Sequence, residues 1–209
     1  MDRGANHINL VRMGASNHCL EERAKDDYYK TEPKIVEELI KIMKKENLIN
    51  KEWGYYEPAC GDGAISDPLK CLGLNVYAAD IVDRGADDLI IEDFFSVDKL
   101  PFDGKVVTVT NPPYGKLAEQ FLRHMLDIMK PGDYYITLQK IQFFEGKNRR
   151  EIFDKDPPKK VMIFSERVNC WKNGIPDRDK NGKIVTSAVC YCWFIWEKGF
   201  KGETTVGWI

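Results

Sequence analysis

The sequence predicts an α/β domain with a mostly parallel sheet of seven strands and an antiparallel C-terminal hairpin. Three observations carry that expectation. Short runs rich in Val, Ile and Tyr alternate with amphipathic helical stretches from residue 33 to residue 138. Several of these runs end in a polar or glycine-bearing turn, as strands do when they feed the helix of a parallel crossover. Two late runs, residues 160–164 and 188–196, are joined by a polar loop without a helical stretch, so they pair antiparallel.

Residues 33–46 read as the first helix, with Ile35, Val36, Leu39, Ile40 and Met43 on one stripe. Thr31 is its expected N-cap, and Pro33 fits the first turn. Residues 54–57 form a short strand that breaks into Pro58-Ala59-Cys60-Gly61-Asp62-Gly63, and a helix follows, ending near Gly73. Residues 75–79 are a second strand, closed by Asp80, and the short apolar run before Glu92 supplies a third. Residues 105–110 are strongly β-branched and run straight into Asn111-Pro112-Pro113-Tyr114-Gly115. Residues 117–130 are helical and stop at Pro131-Gly132, and residues 134–138 are a further strand.

At 209 residues and 43% hydrophobic, the chain can bury one substantial core. It has no Pro/Ser/Gly-rich linker and no internal repeat, so one domain is expected over residues 26–209. Residues 1–25 mix charges with Asn, Gly and His and read as a flexible N-terminal segment. They lack the apolar run of a signal peptide, and no later run is long enough to span a membrane, so a cytoplasmic protein with no membrane partner is expected. Six cysteines, at 19, 60, 71, 170, 190 and 192, show no metal-ligand spacing, so no metal is expected and a reducing compartment suits them.

Ligands of a parallel sheet gather at the carboxyl ends of its strands, and three polar clusters fall at such ends. The first is Glu57-Pro58-Ala59-Cys60-Gly61-Asp62-Gly63, followed 19 positions after Gly61 by Asp80. Glycines let the backbone approach a ligand closely, and an acid at the next strand end can accept both hydroxyls of a ribose. The acids Glu57 and Asp62 repel a pyrophosphate and favour a ligand carrying an ammonium and a sulfonium. The second cluster is Glu92-Asp93-Phe94-Phe95, where an acid beside a ring could hold an adenine, or where the rings could simply be core. The third is Asn111-Pro112-Pro113-Tyr114. Its prolines fix φ and remove two donors, so the Asn111 side-chain oxygen and the Pro112 carbonyl can both accept from one NH₂ group, while Tyr114 offers a face to a planar base.

These residues, in this order, resemble the amino-group DNA methyltransferases that carry an Asp/Asn/Ser-Pro-Pro-aromatic signature, and the order of the clusters is similar to the γ arrangement of adenine-N6 enzymes. Three further segments resemble small phage and prophage members of that family: Tyr28-Tyr29-Lys30-Thr31-Glu32-Pro33, Phe144-Glu145-Gly146-Lys147-Asn148-Arg149 and Trp193-Phe194-Ile195-Trp196. The resemblance implies a Rossmann-like class I methyltransferase domain that uses S-adenosylmethionine, releases S-adenosylhomocysteine and acts on DNA. By the same resemblance Glu57, Gly61 and Gly63 would hold the methionine part of the cofactor, Asp80 its ribose, and Asp93 and Phe94 its adenine, with Pro58, Cys60 and Ile81 also in the cofactor site. Tyr29 and Thr31 would touch the methionine carboxylate, and Asn111 would face both cofactor and target.

The net charge of −2 conceals an asymmetry, because residues 140–183 carry twelve Lys/Arg against seven Asp/Glu. A basic face of this kind suits a polyanion. Lys147, Arg149 and Arg150 are candidate nucleic-acid contacts. The stretch 169–186, with Trp171, Lys172, Asn173, Arg178, Lys180 and Lys183, is the candidate for target recognition, the alternative being a long surface loop with ordinary charge. Rival readings are the same chemistry on RNA, on cytosine N4 or on a glutamine amide, and a non-catalytic nucleotide-binding module. Oligomeric state is not legible.

Overall fold

The computed structural model describes residues 28–185 and 188–209. The expected flexible segment 1–25, Cys19 and the last position of the stretch 169–186 lie outside the described residues. The chain runs β1 (Tyr29–Thr31), α1 (Pro33–Lys45), β2 (Gly54–Glu57), α2 (Ser66–Cys71), β3 (Asn75–Asp80), β4 (Leu89–Ile91) and β5 (Val106–Thr110). There follow α3 (Lys116–Ile128), β6 (Tyr134–Lys140), α4 (Lys147–Lys155), β7 (Lys160–Ile163), β8 (Cys170–Lys172), β9 (Tyr191–Glu197) and β10 (Thr205–Trp208).

The main sheet has eight strands in the order β10-β7-β9-β6-β5-β2-β3-β4. Seven were expected, and the additional one is β10, a four-residue edge strand parallel to β7 that is too short to announce itself by periodicity. The predicted hairpin is present: β9 lies antiparallel to both β6 and β7, and every other pairing in the sheet is parallel. Alternation along β9 shows why both of its faces are buried. Tyr191, Trp193 and Ile195 join one core cluster, and Cys192, Phe194 and Trp196 join the other. The first cluster takes Ile35, Val36, Leu39, Ile42 and Met43 of α1, and the second takes Ala118, Phe121, Leu122, Met125 and Leu126 of α3. Helices therefore cover both faces of the sheet.

Two local expectations fail for identifiable reasons. The α1 stripe uses Ile42, leaving Ile40 half-buried. The N-cap of α1 is Glu32, not Thr31, and it makes no side-chain cap bond. Instead the Glu32 carboxylate accepts from the Asn169 backbone N–H at 2.8 Å, and Thr31 turns inward as part of β1. That strand pairs antiparallel with β8 in a separate two-stranded sheet, with Thr31 opposite Cys170. The start of the predicted recognition stretch is thus fixed backbone, not loop.

Strand order places the site. From β2 the chain adds β3 and then β4 outward, and it returns to lay β5 on the other side of β2. The reversal leaves a crevice at the carboxyl ends of β2 and β5, the ends that carry Glu57 and Asn111.

Candidate active site

The loop after β2 needs its glycines. Gly61 and Gly63 adopt φ of +57° and +82°, in the left-handed region that side chains resist. A Cβ on Gly61 would also lie 2.7 Å from the Tyr28 ring. The loop is tied to β3 at two points: Cys60 N–H donates to the Ala79 carbonyl at 2.9 Å, and Gly61 N–H donates to Asp80 Oδ2 at 2.8 Å. Asp80 is itself heavily engaged, because Oδ1 accepts from Val82 N–H at 3.0 Å and from Arg84 Nη1 at 2.8 Å. The acid foreseen as a ribose acceptor therefore already has an arginine partner, which sequence inspection missed.

Glu57 closes β2 and is only 2% exposed. Its Oε2 and the neighbouring Ser66 Oγ make no well-aligned hydrogen bond among the described residues, although the Ser66 hydroxyl and backbone N–H lie close enough to favour the charged form. Burial, the largest influence on it, pushes the Glu57 carboxyl well above the usual carboxylate range. A buried orphan acceptor of this kind costs about 1–3 kcal/mol unless a ligand satisfies it.

A cavity of about 510 Å³ opens above these strand ends. Of the residues foreseen for a cofactor it is lined by Tyr29, Thr31, Glu57, Pro58, Cys60, Gly61, Asp80, Ile81, Asp93, Phe94 and Asn111, with Pro113 of the tetrapeptide. Gly63, Pro112 and Tyr114 are not among its lining. Phe94 is only 2% exposed and packs on Phe121, so most of its ring is core, while Phe95 is 42% exposed on the same wall. Asp93 caps the 3₁₀ turn at Phe94–Ser96, accepting from Phe95 N–H at 3.0 Å. Over the mouth lie Lys30, ion-paired with Asp62, and Arg84, whose guanidinium sits 4.7 Å from the Tyr28 ring centroid. Arg84, Leu117 and Phe121 also line the wall, and none of the three was legible, since nothing local marks a side chain that arrives by tertiary packing.

The Asn111 side chain is fully engaged. Its Nδ2 donates to the Tyr29 carbonyl at 3.1 Å and to Thr31 Oγ1 at 3.0 Å, with Cys170 Sγ at 3.7 Å, and its Oδ1 accepts from the Tyr114 hydroxyl at 2.7 Å. Tyr114 is set back among Tyr29, Tyr191 and Lys140, with ring centroids 5.4 and 6.2 Å away and Lys140 Nζ 5.4 Å from its own. The open stacking face foreseen for Tyr114 is therefore partly occupied in this conformation. Burial raises the Tyr114 hydroxyl well above its ordinary pKa and pushes the adjacent Cys170 thiol up to about 11, so both stay protonated at neutral pH and Cys170 is a poor nucleophile.

The foreseen basic contacts divide. Arg149 is spent on structure: its Nε donates to the Phe143 carbonyl at 2.8 Å, another nitrogen reaches the Glu145 carbonyl, and Glu119 lies 3.5 Å away. Those contacts leave fewer of its N–H groups open to a nucleic acid. Lys147 is exposed, and Arg150 is exposed but paired with Asp154 at 2.7 Å on the same helix. Trp171 and Lys172 lie in β8, and the backbone beyond them folds into a finger. Asn173 N–H donates to the Tyr28 carbonyl, Arg178 bridges Ile184, and Asp179 Oδ1 accepts from Asn181 and Lys183 N–H. Arg178 spends one nitrogen on the Gly182 carbonyl, while Lys180 and Lys183 stand exposed at the tip. Among the described residues no three His, Cys, Asp or Glu side chains cluster as a metal cage, and no helix is long and apolar enough to cross a membrane.

No protein-family model matches the sequence, and no curated protein is significantly similar to it. Solved structures are similar in fold. A candidate class I S-adenosylmethionine-dependent methyltransferase from Listeria monocytogenes superposes with a TM-score of 0.60 at 14% identity, covering 98% of this chain and 72% of that one. A candidate RNA methyltransferase from Pyrococcus horikoshii gives 0.60 at 16% identity, covering 91% and 97%. The methyltransferase subunit of a type I restriction-modification system from Streptococcus thermophilus gives 0.59 at 12% identity, and this chain covers 46% of its length with 87% of its own. An α/β fold of the Rossmann-like kind seen in the class I methyltransferases is what the sheet order and these likenesses together establish.

Proposed function

We propose that the protein transfers a methyl group from S-adenosylmethionine to the N6 amino group of adenine in DNA, leaving S-adenosylhomocysteine. The observation that carries this reading is that Asn111 and Pro113 line the same cavity as Glu57, Gly61 and Asp80. A cofactor seated on the glycine loop would therefore lie beside an amine acceptor.

The residues present fit that cofactor. Glu57 Oε2 is a buried acceptor in want of a cation, Gly61 allows close approach, and Phe94 and Phe95 line the wall with Asp93. Bound there, S-adenosylmethionine supplies an electrophilic methyl group on a sulfonium. The rest of the chemistry belongs to the tetrapeptide. An aromatic amine is a poor nucleophile because its lone pair is delocalised into the ring. Hydrogen bonds from its NH₂ to Asn111 Oδ1 and the Pro112 carbonyl draw the nitrogen towards tetrahedral geometry and release that pair. An amide oxygen has two lone pairs, so Oδ1 can serve the amine while keeping the Tyr114 hydroxyl. In a duplex the base must first leave the stack, at a cost of about a few kcal/mol. Stacking on an aromatic ring returns about 1–3 kcal/mol, so phosphate contacts must supply much of the net affinity.

Support for a nucleic-acid target is positional. The finger that carries Lys180 and Lys183 grows from β8, whose Cys170 touches both Asn111 and Tyr114. A groove reader and the reacting amine would thus be neighbours. The test is long-read modification sequencing of DNA from cells expressing the protein, beside labelled-cofactor assays of DNA, RNA and a glutamine peptide. N6-methyladenine at a defined sequence is the expected result. Label entering RNA or peptide alone, with unmodified DNA, overturns the reading.

A further inference from the structure

We infer that Thr31 is a positioning residue for methyl transfer: it locks the Asn111 amide so that the oxygen, and not the NH₂, faces the reacting amine. The inference rests on the proposed reaction but concerns a residue whose resemblance-based role was to touch the cofactor.

An asparagine amide is planar and nearly symmetric in shape, so turning it over exchanges acceptor for donors at little steric cost. The exchange would be ruinous here. A flipped Asn111 would point two N–H groups at an amine that is itself a donor. Something must therefore choose the orientation, and two groups stand where a choice can be made. The Tyr29 carbonyl can only accept, and it lies 3.1 Å from Nδ2. Thr31 Oγ1 lies 3.0 Å from the same nitrogen and accepts its second proton; a hydroxyl can also donate, so Thr31 holds the orientation that the Tyr29 carbonyl selects. With both protons spoken for, Oδ1 is left to the side on which the Tyr114 hydroxyl already donates, at 2.7 Å.

Thr31 is built for the task. It is 5% exposed, it does not cap α1, and its backbone is pinned opposite Cys170 in the two-stranded sheet. A β-branched residue in a strand has few χ1 options, so its hydroxyl is held in place before any substrate arrives. The remaining neighbour, Cys170 Sγ at 3.7 Å, is a weak acceptor that cannot replace it.

Thr31→Val keeps the shape and deletes the acceptor, and Thr31→Ser restores it. The expected result is a kcat lowered about three- to tenfold in Thr31→Val, the scale of one lost hydrogen bond, with the KM for S-adenosylmethionine unchanged and activity recovered in Thr31→Ser. Independently of turnover, the Asn111 side-chain N–H protons should exchange slowly with solvent in the parent and Thr31→Ser proteins and several-fold faster in Thr31→Val. A raised cofactor KM with kcat intact would return Thr31 to the cofactor, and unchanged amide exchange would overturn the lock. A protein that methylates no amine would refute the proposed function, while the exchange measurement still decides what Thr31 does.

Discussion

The two walls of the cavity are built on opposite plans. On the Glu57 wall a buried acceptor, Oε2, and Ser66 Oγ make no well-aligned hydrogen bond among the described residues, and burial drives the Glu57 carboxyl towards its neutral form. On the Asn111 wall both amide protons and the oxygen are engaged, by Tyr29, Thr31 and Tyr114. At the cavity, one wall leaves a carboxyl oxygen unpaired and the other holds its amide fixed. A group left unsatisfied in the empty protein gains when a ligand satisfies it, which makes an affinity device. A group held fixed beforehand gains nothing on binding but costs nothing to organise during reaction, which makes a rate device.

That contrast can be broken most directly on the Asn111 wall. Asn111→Ala should lower the methyl-transfer rate by more than about tenfold, at least ~1.4 kcal/mol of barrier, while cofactor affinity measured by calorimetry changes less than about twofold. A mutant retaining most of the parent rate would remove Asn111 from the mechanism. Asp80→Ala attacks the other wall. It strips Gly61 N–H and Arg84 of their acceptor as well as a ribose contact, so affinity for S-adenosylmethionine should fall by about 1.5–3 kcal/mol. Equal affinity in mutant and parent would refute the ribose assignment.

Glu57→Gln sharpens the contrast through pH. The folded carboxyl titrates well above the ordinary value of 4.5, so above that pH the unfolded chain has released a proton that the folded chain still holds. Stability from this group is complete below about 4.5 and declines as pH rises towards the folded pKa. Glu57→Gln removes the dependence, so its melting temperature should gain on the parent's between pH 5 and pH 8 while cofactor binding weakens by about tenfold. Parallel pH profiles for the two proteins would show that Glu57 pays no such penalty. The smallest effect belongs to the finger. Replacing Lys180 and Lys183 together with Ala should lower the slope of log affinity against log salt by about 1–2 for all DNA alike. Asn173→Ala or Arg178→Ala should instead shift the methylated sequence, and unchanged site preference in both would move recognition away from the finger.

What was legible in the sequence was whatever is written contiguously. The glycine loop, Asp80 at its strand end and the tetrapeptide are each a few adjacent residues whose types answer one geometric need, and the cavity gathers most of them. The core strands were legible because β-branched and aromatic residues fill both faces, as in β5 and β9. Arg84, Leu117 and Phe121 were not, since each reaches the cavity from an element whose position only packing fixes. The three-residue strands β1 and β8 fell below any periodicity, and so the partnership of Thr31 with Asn111 was invisible. The backbone commitments of Arg149 were invisible for a related reason, since a count of charges does not show which guanidinium is already bonded to backbone carbonyls.

The small β1–β8 sheet also bears on how the protein comes into being. Glu32 and Asn169, hydrogen-bonded across its end, are 137 positions apart. A ribosome adds about 5–20 residues each second, so on the order of ten seconds separate the emergence of one side from that of the other. Tyr29 and Thr31 wait through the whole of that interval, and Asn111 through its later part, without β8 to clamp them, and β9 has still to arrive. Closing so long a loop comes late in folding, after the local helices. A chain broken off before β8 would keep the glycine loop and the tetrapeptide as peptide segments yet lack the clamp that arms them, so synthesis itself withholds the site until the molecule is nearly whole.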